Sequence, residues 1–135
     1  MLLRVKRPSA TKTCPATIPN GRTPPSIQSS PNLHGNGPLS ARLPPVGVLE
    51  VKPDDVGPDG SIAEKMIWYT AGVFGDLEVQ MTRLDRTEPP RLVETVSGSG
   101  GSWAARLSFG GEGCWRINGR MGDISLTFVV EVIIR

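Results

Sequence analysis

Three side chains of this 135-residue chain could supply a thiolate or an imidazole: Cys14, Cys114 and the single histidine, His34. An imidazole that takes a thiol proton makes a reactive thiolate, so His34 with either cysteine is the first pair to weigh. His34 lies in Leu33-His34-Gly35-Asn36-Gly37-Pro38, a run of turn formers, and we read it as a turn residue. One histidine also excludes a multi-histidine metal site and leaves no second imidazole for acid–base work. Asp55-Val56-Gly57-Pro58-Asp59-Gly60 has part of the spacing of a calcium loop. It lacks the middle acidic ligand, and Met66 stands where the twelfth-position Glu belongs. No Gly-x-Ser-x-Gly elbow occurs, and Ser97-Gly98-Ser99-Gly100-Gly101 falls between strands rather than at a strand-to-helix phosphate cradle. Asp76, Glu78, Asp85 and Glu88 read as a solvated strand face and loop, not as a paired acid and base. We therefore expect no enzyme and assign no catalytic, cofactor or metal residue.

The elements that must position these groups are strands. Residues 113–135 form a long hairpin with two competing turns, Asn118-Gly119 and Gly122-Asp123. A turn at Asn118-Gly119 would set Ile117 against Arg120 and Arg116 against Met121. A turn at Gly122-Asp123 pairs Met121 with Ile124, Gly119 with Leu126, Ile117 with Phe128 and Trp115 with Val130. That gives one continuous apolar face, so the second register is expected. The other face carries Arg120 with Ser125, Asn118 with Thr127, Arg116 with Val129, and Cys114 with Glu131. Val129 and Ile133 on that face need cover, and a segment held through Cys14 could provide it.

Upstream, 46–51 is a short β-branched run ended by Pro53. Residues 65–70 read as a strand bringing Trp68 into the core, although Ser61 and Glu64 have capping-box spacing for a helix. Residues 76–85 alternate through Leu77, Val79 and Met81, and 91–96 follow Pro89-Pro90. Residues 102–109 alternate with Trp103, Ala105, Leu107 and Phe109 inward and Arg106 and Ser108 outward. Short strands between Gly and Pro suggest an all-β, antiparallel two-sheet sandwich.

Composition changes near residue 60. Eleven of the 13 prolines precede it, while every Trp, Tyr and Phe follows it. Proline removes ladder donors, so the division expected is a Pro-rich, basic, irregular arm over 1–45, tied on through Cys14, and a sandwich over 46–135. A domain of that size is marginal and gains from a staple. A Cys14–Cys114 bond would close a loop of about 100 residues, worth up to ~4.7 kcal/mol in the chain-entropy treatment. Two unrelated free thiols are the other reading. We expect the bond, and with it a location outside the cytoplasm.

Residues 1–7 are basic but no apolar run follows, so an export signal is expected to be absent from this chain; Thr11-Lys12-Thr13 before Cys14 does not resemble a lipid-attachment site. No transmembrane segment is expected. Formal net charge is +2, with six Lys or Arg and no Asp or Glu in residues 1–49. That arm could touch anionic polymers, or be a solvated tail. No basic stripe interleaves with aromatics, so nucleic acid is not an expected partner.

Taken together, Cys14-Pro15-Ala16-Thr17-Ile18-Pro19-Asn20-Gly21 with Pro24-Pro25, His34-Gly35-Asn36-Gly37, Lys65 with Trp68, Arg83-Leu84-Asp85 before Pro89-Pro90, and Gly113-Cys114-Trp115 with Gly122-Asp123 and Leu126-Thr127-Phe128-Val129-Val130 support a resemblance. The chain resembles an uncharacterised family of small bacterial extracytoplasmic proteins, often lipoproteins. The resemblance spans residues 14–132 and implies an immunoglobulin-like sandwich on an exported protein. It departs at the export signal and at Ser99-Gly100-Gly101-Ser102-Trp103, where such proteins tend to have Gly-Tyr-Gly and Gly-Phe.

The function expected is a non-catalytic binding or structural module of the cell envelope, acting on an unknown protein or polymer, with Tyr69 or Phe74 as contact candidates unless they pack in the core. The alternatives are a domain binding polysaccharide or anionic wall polymer through the basic arm, and a small hydrolase.

Overall fold

The computed structural model describes residues 13–24, 30–98 and 101–135. The basic run 1–7 and Pro25 lie outside the described residues. Among the described residues nine strands form: β1 (Leu33–Gly35), β2 (Leu39–Arg42), β3 (Val48–Val51), β4 (Ile62–Thr70), β5 (Glu78–Arg83), β6 (Arg91–Ser97), β7 (Ser102–Phe109), β8 (Gly113–Met121) and β9 (Ile124–Ile134). Among the described residues the 3-10 turns Pro45–Gly47 and Pro53–Asp55 interrupt them. The fold is all-β, and the capping-box spacing at Ser61 and Glu64 produces no helix: Ile62, Met66 and Trp68 alternate inward along β4 instead.

The strands join into one sheet in the order β1-β2-β4-β7-β6-β5-β8-β9-β3. The sheet curls, so that its two halves face each other across a single core. Trp68 of β4 meets Phe128 of β9 at 5.5 Å between ring centroids, and Phe109 of β7 meets Trp115 of β8 at 5.5 Å. The bend falls at β6, whose first residues pair with β5 and whose last pair with β7. A strand that changes partners in this way makes the corner between two packed layers.

The β8–β9 hairpin has the expected register throughout, from Met121 opposite Ile124 to Cys114 opposite Glu131. Gly122 takes φ 60°, a first turn position that glycine fills without steric cost. The apolar face holds Trp115, Ile117, Met121, Leu126, Phe128 and Val130, all buried.

Two features depart from the sequence expectation. The sheet is mixed, not purely antiparallel: β3 runs parallel to β9, with Val48 opposite Glu131 and Val51 opposite Ile134. Parallel neighbours need a long connection, and most of the chain separates these two strands. Further, β1 and β2 lie within the stretch assigned to the arm, and Leu33, Leu39, Ala41 and Leu43 are buried. The sheet therefore begins before residue 46. These strands are only three and four residues long, short enough to fit between the prolines. Described residues 13–24 carry no strand or helix.

Candidate functional site

Cys14 and Cys114 form a disulfide with Cα atoms 5.5 Å apart. It binds the segment 13–24 to the start of β8, and the segment then runs along the seam where the curled sheet brings β9 toward β1. Thr17 acts there as a one-residue strand. Its N–H donates to the Val129 carbonyl at 2.8 Å, and its Oγ1 accepts from the Val129 N–H at 2.8 Å. Asn20 does the same for β1 with its side chain: Oδ1 accepts from the Gly35 N–H at 3.0 Å and Nδ2 donates to the Gly35 carbonyl at 2.8 Å. Gly21 N–H donates to the Leu33 carbonyl at 2.7 Å. Asn36, in the β1–β2 turn, reaches across to the Ser125 carbonyl at 2.9 Å. These bonds satisfy backbone groups that a sheet edge would otherwise leave open.

His34 belongs to this seam. Its Nδ1 accepts the Asn20 N–H at 3.2 Å, and its ring meets Phe128 edge-on at 6.1 Å. Burial pushes the imidazole below its ordinary value of 6.5, which favours the neutral acceptor form. With both cysteines consumed in the disulfide, neither supplies a thiolate to His34. The turn reading needs one adjustment: His34 is the central residue of β1.

A second cluster surrounds Trp115, beside the disulfide. The alternation of Leu77, Val79 and Met81 continues to Arg83, which places a guanidinium on the core side of β5 with its side chain 4% exposed. Arg83 lies 5.0 Å over the Trp115 ring and Arg91 5.5 Å from it. Arg83 Nε bonds Asp85 Oδ1 at 3.0 Å, Nη1 approaches Glu88 at 3.7 Å, and Nη2 donates to the Glu112 carbonyl. Asp85 also accepts the Cys114 N–H at 3.2 Å. Burial alone would raise the Asp85 carboxyl; the bonds from Arg83 and Cys114 outweigh it and hold it below its ordinary value. Asp85, which is exposed, and the half-buried Glu88 thus also serve as counter-charges to a buried arginine. Glu78 does face solvent, paired with Arg120 at 3.5 Å. The signal for this cluster was the phase of Arg83, in step with three core residues.

In the 55–60 loop Asp59 accepts from the Ser61 N–H at 3.1 Å and from the Ser61 hydroxyl at 2.7 Å, and these bonds to Ser61 lower its carboxyl pKa. Its near oxygen is thus committed to closing a turn. Among the described residues no three His, Cys, Asp or Glu side chains gather as a metal site.

The proposed contact residues separate. Tyr69 is half-buried on the outer face of β4, its hydroxyl accepting from Arg42 at 3.4 Å. Phe74 is 87% exposed, on the loop between β4 and β5. It lines an open hollow of about 440 Å3 together with Val73, Thr70, Ser97 and Trp103. No protein-family model matches the chain, and no curated protein matches it.

Proposed function

We propose that this protein is a non-catalytic binding or structural module working outside the cytoplasm, in the cell envelope. The observation that carries the reading is the Cys14–Cys114 disulfide, which fastens the first described segment to the closing hairpin across 100 residues. Such a bond persists where thiols are oxidised, as in secreted and periplasmic proteins. A binding role is supported by the hollow in which the exposed Phe74 lies beside the partly buried Val73 and Trp103, a concave site with apolar lining. We further read the curled sheet as an immunoglobulin-like sandwich, with β6 as the corner strand, and the chain as kin to small exported bacterial proteins. The facing of its two halves over one core supports the sandwich reading. The deciding test is intact mass after alkylation, with and without prior reduction, on protein recovered from its native cell and traced through compartment fractions. Both thiols blocked until reduction, in an extracytoplasmic fraction, is the expected result. Freely alkylated cysteines in a cytoplasmic fraction would overturn the proposal.

A further inference from the structure

We infer that the hollow beside Phe74 binds an uncharged glycan chain, an assignment that rests on the binding-module reading and names its ligand class. Ten described residues line the hollow, and none carries a charge. Of the charged residues next to it in sequence, Asp76 follows Gly75 and is exposed, and Arg120, before Met121, is paired with Glu78 at 3.5 Å. A polymer of phosphates or carboxylates would find no cation in that lining to offset its charge.

The two side-chain hydroxyls of the lining are committed as donors. Thr70 Oγ1 donates its single proton to the Gly101 carbonyl at 3.2 Å, and Ser97 Oγ donates to the Gly98 carbonyl at 3.2 Å. Both hydroxyls therefore present only lone pairs to a ligand. The hollow asks for a neutral molecule rich in donors, with an apolar face to lie on Phe74 and Trp103. A sugar ring has both: hydroxyl donors around its rim and a C–H face that packs on an aromatic ring.

Extent argues the same way. A stable protein interface takes about 20–30 residues a side, and this hollow offers ten. Its volume of about 440 Å3 falls within the ordinary range of small-ligand sites, about 300–1,000 Å3. The occupant is a narrow chain, not a globular face.

Tryptophan emission provides the readout, because Trp68 and Trp115 are buried and Trp103 alone among the tryptophans is partly exposed. The oxidised, full-length chain would be titrated with hexamers of β-1,4-linked N-acetylglucosamine, β-1,4-linked glucose and α-1,4-linked glucose. A polyphosphate and an uncharged peptide containing Leu and Phe would be run in parallel. We expect a saturable emission shift with at least one glycan, weakened tenfold or more in Phe74→Ala. Leu92→Ala, which removes another highly exposed apolar side chain outside the hollow, should bind as the parent does. Both variants alter exposed residues, and their melting curves would establish that they are folded. Silence with all three glycans, equal affinity in Phe74→Ala, or a stronger response to the peptide or the polyphosphate would overturn the inference. Such a result with the disulfide intact and the protein extracytoplasmic removes the glycan site and leaves the module reading standing. Free thiols in the cytoplasm remove the module reading itself.

Discussion

Gly119 and Ser40 show how closely single residues are constrained by the curl. Gly119 faces inward on β8, and a Cβ there would overlap Cζ3 and Cη2 of the Trp68 ring. The missing side chain is the space that Trp68, fully buried, occupies. Gly119→Ala should therefore destabilise the fold by about 1–3 kcal/mol, as overpacking does in dense cores; a urea melt unchanged from the parent would refute the packing argument. Ser40 makes the opposite prediction. It is buried and its Oγ has no hydrogen-bond partner. A hydroxyl desolvated without compensation costs free energy, so Ser40→Ala should raise stability by about 1 kcal/mol. A loss of stability in that variant would mean the hydroxyl is satisfied after all. Val46 is strained in its backbone: a β-branched residue at φ 47°, in the left-handed region, in the turn that leads into β3.

The elements were legible in the sequence where their logic is local. The last hairpin could be read to the residue, because period-two alternation and a turn dipeptide act over neighbouring positions. The same holds for most of β7, where Ala105, Leu107 and Phe109 are buried and Arg106 and Ser108 exposed as expected, while Trp103 near its start is only partly buried. The partnership of β3 with β9 depends on residues about 80 apart and has no local signal. Nor do β1 and β2, too short for a pattern to stand out among prolines and glycines. Of the candidate residues, the Cys14–Cys114 pair was readable from count and size alone. The Asn20–Gly35 clasp was not, because an asparagine in a turn-rich segment looks the same whether it caps its own loop or another strand.

That clasp carries a pH prediction. The folded imidazole of His34 binds a proton less readily than the unfolded one, so between its lowered pKa and about 6.5 the unfolded chain takes up more protons. The contribution is whole above about pH 6.5 and is lost as the pH falls below it. Protonation would also set an N–H against the donating Asn20 N–H. The melting midpoint should fall between pH 7.5 and 5.5 by more in the parent than in His34→Gln, which keeps an acceptor and does not titrate. Glu64, whose carboxyl burial raises, titrates in both proteins and cancels from the comparison. Equal falls would detach His34 from the seam's stability.

For the whole molecule, the question is what holds the nine-stranded sheet of the described residues closed when its edge strands β1 and β3 do not pair with each other. The far edge is blunted by its own sequence: β3 is four residues long, with Pro44-Pro45 before it and Pro53 after it. Such an edge offers little to an incoming strand. The near edge is covered by the segment 13–24, whose bonds to Val129, Gly35 and Leu33 bridge the seam. The disulfide holds that segment at its start, so cutting it acts on both states. In the unfolded state it frees a loop of 100 residues, worth up to about 4.7 kcal/mol. In the folded state it leaves the seam to hydrogen bonds worth about 1 kcal/mol each. Domains of this size are stable by only about 5–15 kcal/mol, so the staple is a large part of the total. Cys14→Ser with Cys114→Ser should lower the melting temperature by about 10–20 °C, since 1 kcal/mol moves a domain of this size by about 4–8 °C and staples often deliver less than the chain-entropy figure. Trypsin should then cleave after Arg22, an exposed site within the segment 13–24, faster than global unfolding alone allows. A double variant that melts with the parent would mean the seam closes without its staple, and would leave the bond to be explained by compartment alone.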